Sequence, residues 1–141
     1  MGSLVRKSNE NYYLEKREKK IMRNLYYDAK GDILTVTFCE SPKETGAGIE
    51  LHENIVLYFI PEQEKAIELI LISYGALLKT QHPLLMEVLP RLQPDWQQNI
   101  ISMIQKEPVA NFLHIEHSES TPVPSLYVKK VFDPEIMKVA A

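Results

Sequence analysis

A single cysteine, Cys39, in 141 residues excludes an intrachain disulfide, and one thiol cannot by itself build a structural zinc site. It falls at the end of a strand-like segment with no histidine or aspartate in a catalytic signature beside it, so it reads as a structural thiol. Glycine is scarce too, five in all, and Gly46 and Gly48 are too isolated in pattern to cradle a phosphate or a dinucleotide. Gly-x-Ser-x-Gly, His-Glu-x-x-His and calcium-loop spacings are missing. No cofactor is expected, and the chain reads as non-enzymatic. No apolar run approaches the about 18 to 20 residues of a membrane span. The first residues lack the apolar stretch of a secretory signal, and Arg6 stands where a myristoylation signal after Met1-Gly2 needs Ser or Thr. A cytoplasmic protein with no membrane partner is the expectation.

Hydrophobic residues make up 45% and charged residues 25% of the chain, a composition that supports a packed core, and the length suits one domain. The net charge of −3 hides an asymmetry: residues 1 to 23 hold seven Lys or Arg against three Glu, and the remainder nine against sixteen. Residues 1–22 read as a flexible basic tail. Arg6, Lys7, Lys16, Arg17, Lys19 and Lys20, beside Tyr12 and Tyr13, are its candidate nucleic-acid contacts, although Glu10, Glu15 and Glu18 dilute them.

Residues 23–141 read as a single α+β domain, with 23–72 a β-meander. Leu25–Asp28 and Ile33–Phe38 flank the turn-forming Ala29-Lys-Gly-Asp32 as a hairpin, with Leu34, Val36 and Phe38 on one side. Ile49–Leu51 makes a short strand after the breaker-rich 40–48 loop. Ile55–Ile60 and Ala66–Ile72 are nearly unbroken apolar runs around Pro61-Glu-Gln-Glu-Lys65, and so read as paired strands buried on both faces. Such strands need a cover, and one small lid does not suffice for both sides. A homodimer, by sheet packing or edge pairing, is the expected remedy.

Residues 73–107 supply the lid. Tyr74, Leu77 and Leu78 have helical spacing, and Leu84–Leu89 reads as a second short helix between Pro83 and Pro90. Pro94–Lys106 is the stronger helix, with Pro94 in its first turn and Trp96, Ile100, Met103 and Ile104 in one stripe. Over 108–141, Phe112–Glu116 and Leu126–Val131 read as a C-terminal strand pair.

Candidate chemistry is thin. Asp28 and Asp32 flank a tight turn, where aspartate caps local N–H groups, and turn chemistry outweighs general acid work there. Glu68 interrupts an apolar run; the ordinary reading places it on an exposed edge face, the sharper one makes it a buried polar residue fixing partner geometry. His114 and His117 flank Glu116, but residues three apart on a strand point to opposite faces, so no metal site is expected. His52 and His82 have no partners in sequence.

Tyr27-Asp28, Asp32, Leu34 and Val36, then Ile55-Val56 with Tyr58, then Ala66-Ile-Glu-Leu69, resemble a family of small bacterial β-rich proteins catalogued as domain of unknown function 2283. The likeness spans residues 26–72. It implies a β-meander with a helix, and a role as partner in two-gene modules of the toxin–antitoxin kind. Where the family tends to carry acids on either side of its central tyrosine, this chain has Leu57 and Phe59. The expectation is therefore an antiparallel β-meander of four to five strands, covered by a helical segment, with a C-terminal strand pair. Its function would be protein interaction with self-association through Leu57, Phe59, Glu68 and Trp96. The alternative is a nucleic-acid-associated or antitoxin-like regulator acting through the basic tail.

Overall fold

Apolar residues at every second position generate the larger of two sheets. In the computed structural model, which describes residues 24–39 and 46–135, β1 (Asn24–Asp28) and β2 (Ile33–Thr37) form the first hairpin. Asp28 closes its turn by accepting the backbone N–H groups of Lys30 and Gly31 at 3.2 and 3.3 Å, so its carboxylate does turn chemistry. β3 (Ala47–His52), β4 (Ile55–Ile60) and β5 (Lys65–Ile72) follow as a continuous antiparallel run. The Pro61–Gln63 turn joins the last two and ends on Glu64 in the left-handed region, at φ 48°. The order across the sheet is β1-β2-β5-β4-β3. The chain therefore leaves β2, crosses to the far edge, and returns through β4 to seat β5 beside β2, a Greek-key path.

Register assigns the faces. Leu34–Leu71–Ile55 and Val36–Leu69–Leu57–Ile49 are rows of cross-strand neighbours, and all of these side chains are buried. Each contributes roughly 1.5–3 kcal/mol through burial. A bulge at Ile67 leaves that residue without a partner on β4, between Glu68 and Ala66, although its carbonyl accepts the Phe38 N–H on the other side; this is why Ala66, Ile67, Glu68 and Leu69 are four buried residues in succession. Gly46 is needed where β3 approaches β4: a Cβ there would lie 2.5 Å from the carbonyl oxygen of Phe59.

The cover over this face comes from the rest of the chain. α1 (Tyr74–Thr80) and α2 (Pro94–Gln105) are the two helices that the spacing predicts. Ile100, Met103 and Ile104 of α2 are buried, and Trp96 sets its ring edge-on to Phe59 at 5.5 Å. The expected helix over Leu84–Leu89 does not form. Leu84–Leu85 is instead a short strand, β6, paired with β8 (Ser125–Val128), which also pairs with β7 (Leu113–Glu116). Prolines on both sides leave room for little more than one helical turn, and strand pairing gives this backbone better partners. The C-terminal strands thus complete a second, three-stranded sheet. Phe112 at its start packs on Phe38 with ring centroids 6.0 Å apart, and Leu84, Met86, Leu113, Leu126 and Val128 join the same core.

One expectation needs correction. β4 and β5 are not buried on both faces, since Val56, Tyr58, Ile60, Ile70 and Ile72 are half-exposed on the side away from the core. The helices and the second sheet cover the opposite side, where Leu57 and Phe59 are 0% and 1% exposed.

Candidate functional site

Three groupings concentrate polar or exposed apolar side chains. The first is centred on Asp32, at the end of the β1–β2 turn with φ 57°, a conformation aspartate tolerates better than most residues. One carboxylate oxygen accepts the Tyr27 hydroxyl at 2.5 Å and the Gly75 N–H at 2.8 Å; the other accepts the Ala76 N–H at 3.2 Å. Its own carbonyl accepts the Tyr74 N–H at 2.9 Å. Asp32 therefore caps α1, 43 positions further along the chain, in place of the α1 N-cap residue Ser73, which makes no side-chain cap hydrogen bond. Around it Tyr74 and Phe132 stack and Tyr27 meets both edge-on, with centroids 5.2 to 6.4 Å apart. The Tyr74 hydroxyl donates to the Lys129 carbonyl and accepts the Val131 N–H, tying the segment after β8 to the same point.

Burial raises the Tyr27 pKa first, and the hydrogen bond to Asp32 and the charges of Asp32, Glu135 and Asp28 raise it further. Burial raises Tyr74 as well, partly offset by the bond from Val131. Tyr27 keeps its proton in the folded chain where an unfolded chain has lost it. Its contribution is therefore complete below about pH 10 and is withdrawn as the pH rises further. The thermal midpoint should fall more steeply above about pH 10 in the native sequence than in Tyr27→Phe. Parallel pH profiles from differential scanning calorimetry would refute this.

The second grouping is the outer face of the large sheet. Tyr26, Thr35, Ile70, Val56 and Glu50 form one row across it; Asn24, Thr37, Glu68, Tyr58 and Gly48 form the next. Tyr26 is 67% exposed. The Tyr58 ring lies over Gly48, where a Cβ would come within 2.6 Å of it. Glu68 does not lie on an edge: β5 is the central strand, and the residue is 8% exposed.

The third is a cleft of about 690 Å³ between the edge of β3 and residues 83–91, lined by Gly48–Glu53, Pro83, Leu85, Glu87, Val88 and Arg91. Here the fold gathers Glu50, Glu53, Glu87, Arg91 and His52. His52 also locks the β3–β4 turn, its Nδ1 accepting the Asn54 N–H at 3.1 Å, while the Asn54 side chain donates to the Ile72 carbonyl. No pattern in the sequence ties residues 50–53 to residues 87–91, because only the return of the chain through β6 brings them together.

The residues singled out from sequence scatter. Leu57 and Phe59 are in the core, Trp96 is half-buried against Phe59, and Glu68 is on the outer face. His114 Nε2 lies 3.3 Å from Glu116 on the exposed side of β7, and Cys39 Sγ lies 3.8 Å from the Ala66 carbonyl. Arg6, Lys7, Lys16, Arg17, Lys19 and Lys20 lie outside the described residues. Among the described residues no group of three or more His, Cys, Asp or Glu is placed to hold a metal ion, and no helix is long and apolar enough to cross a membrane. No family model, no curated protein and no solved structure matches the chain at a significant level.

Proposed function

We propose that this protein is a non-enzymatic interaction module whose partner across the outer face of its large sheet is a second copy of itself. The observation that carries the reading is that face: Ile33, Val56, Tyr58, Ile70 and Ile72 stand half-exposed on adjacent strands, with Tyr26 open beside them. Strands about 4.8 Å apart, rising about 3.3 Å per residue, make five strands a platform of roughly 400 Å² in projection. That is below the roughly 600 to 1,000 Å² that each partner gives a stable specific interface, and in the range of weak, transient association. Sheets pack face to face at about 10 Å with aligned strands, and a two-fold axis would set the Ile70–Val56 row of one copy on that of the other. A weak contact of this kind corresponds to a dimer with a dissociation constant of about 10 µM or more. The densest polar cluster favours a structural reading, because the carboxylate of Asp32 is engaged by a hydroxyl and two helix N–H groups.

Sedimentation velocity from about 1 to about 100 µM tests it. The weight-average mass should climb from 16.3 kDa towards twice that value, and Val56→Lys/Ile70→Lys should remain at the lower value with an unchanged far-ultraviolet spectrum. A native chain that stays monomeric, or a dimer indifferent to the two lysines, would overturn the proposal.

A further inference from the structure

The cleft between the two sheets is bounded by two strand edges. Among the described residues β3 is the outermost strand of the large sheet and pairs only with β4, and β6 is the outermost strand of the small one and pairs only with β8. An edge strand turns about half of its N–H and C=O groups away from its single neighbour. For β6 the residue is identifiable. Met86 donates its N–H to the Pro124 carbonyl at 3.0 Å, two positions beyond the Leu84–Leu126 pair. Alternation along an antiparallel pair then turns the N–H and C=O of the intervening Leu85 away from β8. Its side chain, 38% exposed, lines the cleft with Val88. Glu50, Glu53 and Glu87 face the same space against the one guanidinium of Arg91.

We propose that this cleft binds an extended, basic peptide segment of a partner protein, which adds as a strand along β3. Three features specify the ligand. The open edge calls for an extended backbone, because only a strand returns the hydrogen bonds that an edge offers. β3 has six residues, which limits the paired stretch to about that length. Side chains on an added strand alternate between two sides, so apolar residues would contact Leu85 and Val88 while Lys or Arg on the other side meets the carboxylates. Glu50 ends the outer-face row that holds Val56 and Ile70, so the cleft adjoins the association face there, whereas Leu85 and Glu87 line it from the other sheet's side.

The probe is a fluorescent Lys-Val-Lys-Val-Lys-Val hexapeptide, titrated by anisotropy and by amide chemical shifts on the full-length chain. Binding should saturate, with shifts centred on residues 47–52 and 84–88. The Glu-Val-Glu-Val-Glu-Val peptide should bind at least about tenfold more weakly. Methylating alternate backbone nitrogens of the basic peptide should weaken it by about fivefold or more. Glu50→Lys/Glu87→Lys should lose about tenfold for the basic peptide and gain for the acidic one. Leu85→Pro supplies a second variant, since an edge strand tolerates proline where its N–H points outward, and it should weaken binding without unfolding the chain. Leu85→Pro, which lies on the other side of the cleft from the Val56–Ile70 row, should dimerise as the native chain does, so loss of peptide binding and loss of dimerisation are separable. Absence of saturable binding, equal affinity for the N-methylated peptide, or shifts confined to β1 would overturn the proposal. So would displacement of the probe by a synthetic peptide of residues 1–23 at far lower concentration, which would reassign the cleft to this chain's own basic segment.

Discussion

Asp32→Ala should lower the unfolding free energy by about 3 kcal/mol, a large share of a net stability that is typically about 5–15 kcal/mol. The carboxylate joins three backbone or hydroxyl donors from distant parts of the chain: Tyr27 on β1, and Gly75 and Ala76 at the start of α1. Alanine leaves all three without that acceptor and must itself adopt φ 57°, which adds about 1 kcal/mol of backbone strain. The three bonds are not additive, because they share one group that is only partly buried. That sharing keeps the expected loss near 3 kcal/mol rather than their simple sum. Asp32→Asn retains the backbone preference and one acceptor oxygen, so it should lose about half as much. Tyr27→Phe should lose about 1 kcal/mol, and its effect should almost vanish in the Asp32→Ala background. Urea denaturation of the four proteins gives the cycle. Full additivity would show that the hydroxyl and the carboxylate act independently.

That cluster also shows where the sequence is legible and where it is not. The β1–β2 hairpin could be read locally, since its turn residues and the alternation of Leu34, Val36 and Phe38 lie within a dozen positions. Asp32 was readable as a turn former, but its second role was not. The donors at Gly75 and Ala76 become neighbours only because β5 pairs with β2 and delivers Ser73 beside the turn. Helix α2 was clear for the opposite reason, since Pro94 and the 96-100-103-104 stripe define it without reference to anything remote. The stretch after Pro83 misled because Leu84–Leu89 is apolar and short, so its period carries no information; the choice is made by β8, some forty residues later. The cleft was illegible for the same reason, its carboxylates coming from β3 and from the segment after β6.

Leu57→Asp should unfold the chain, with an expected loss above about 4 kcal/mol, whereas Val56→Asp, one residue away, should leave it folded. Both positions lie in an unbroken apolar run, so hydropathy alone ranks them equally. Register separates them. Leu57 sits between Leu69 and Ile49 with no exposed surface, under the layer that includes α2. A carboxylate there either remains charged without a partner or takes up a proton, and either outcome adds to the roughly 2 kcal/mol of lost leucine burial. Val56 pairs with Ile70 and Glu50 on the half-exposed face, where an aspartate reaches water and loses less than about 1 kcal/mol. Its consequence should appear in association instead, as a sedimentation profile shifted to the monomer. Near-ultraviolet circular dichroism of Trp96, whose ring rests on Phe59 in the same layer, provides the readout of core packing: the signal should be retained in Val56→Asp and lost in Leu57→Asp. Reversed stabilities, with Val56→Asp unfolded and Leu57→Asp folded, would mean that the strand is shifted by one residue from the register described. The core and the association surface would then exchange places, because a one-residue slip moves every side chain to the other face.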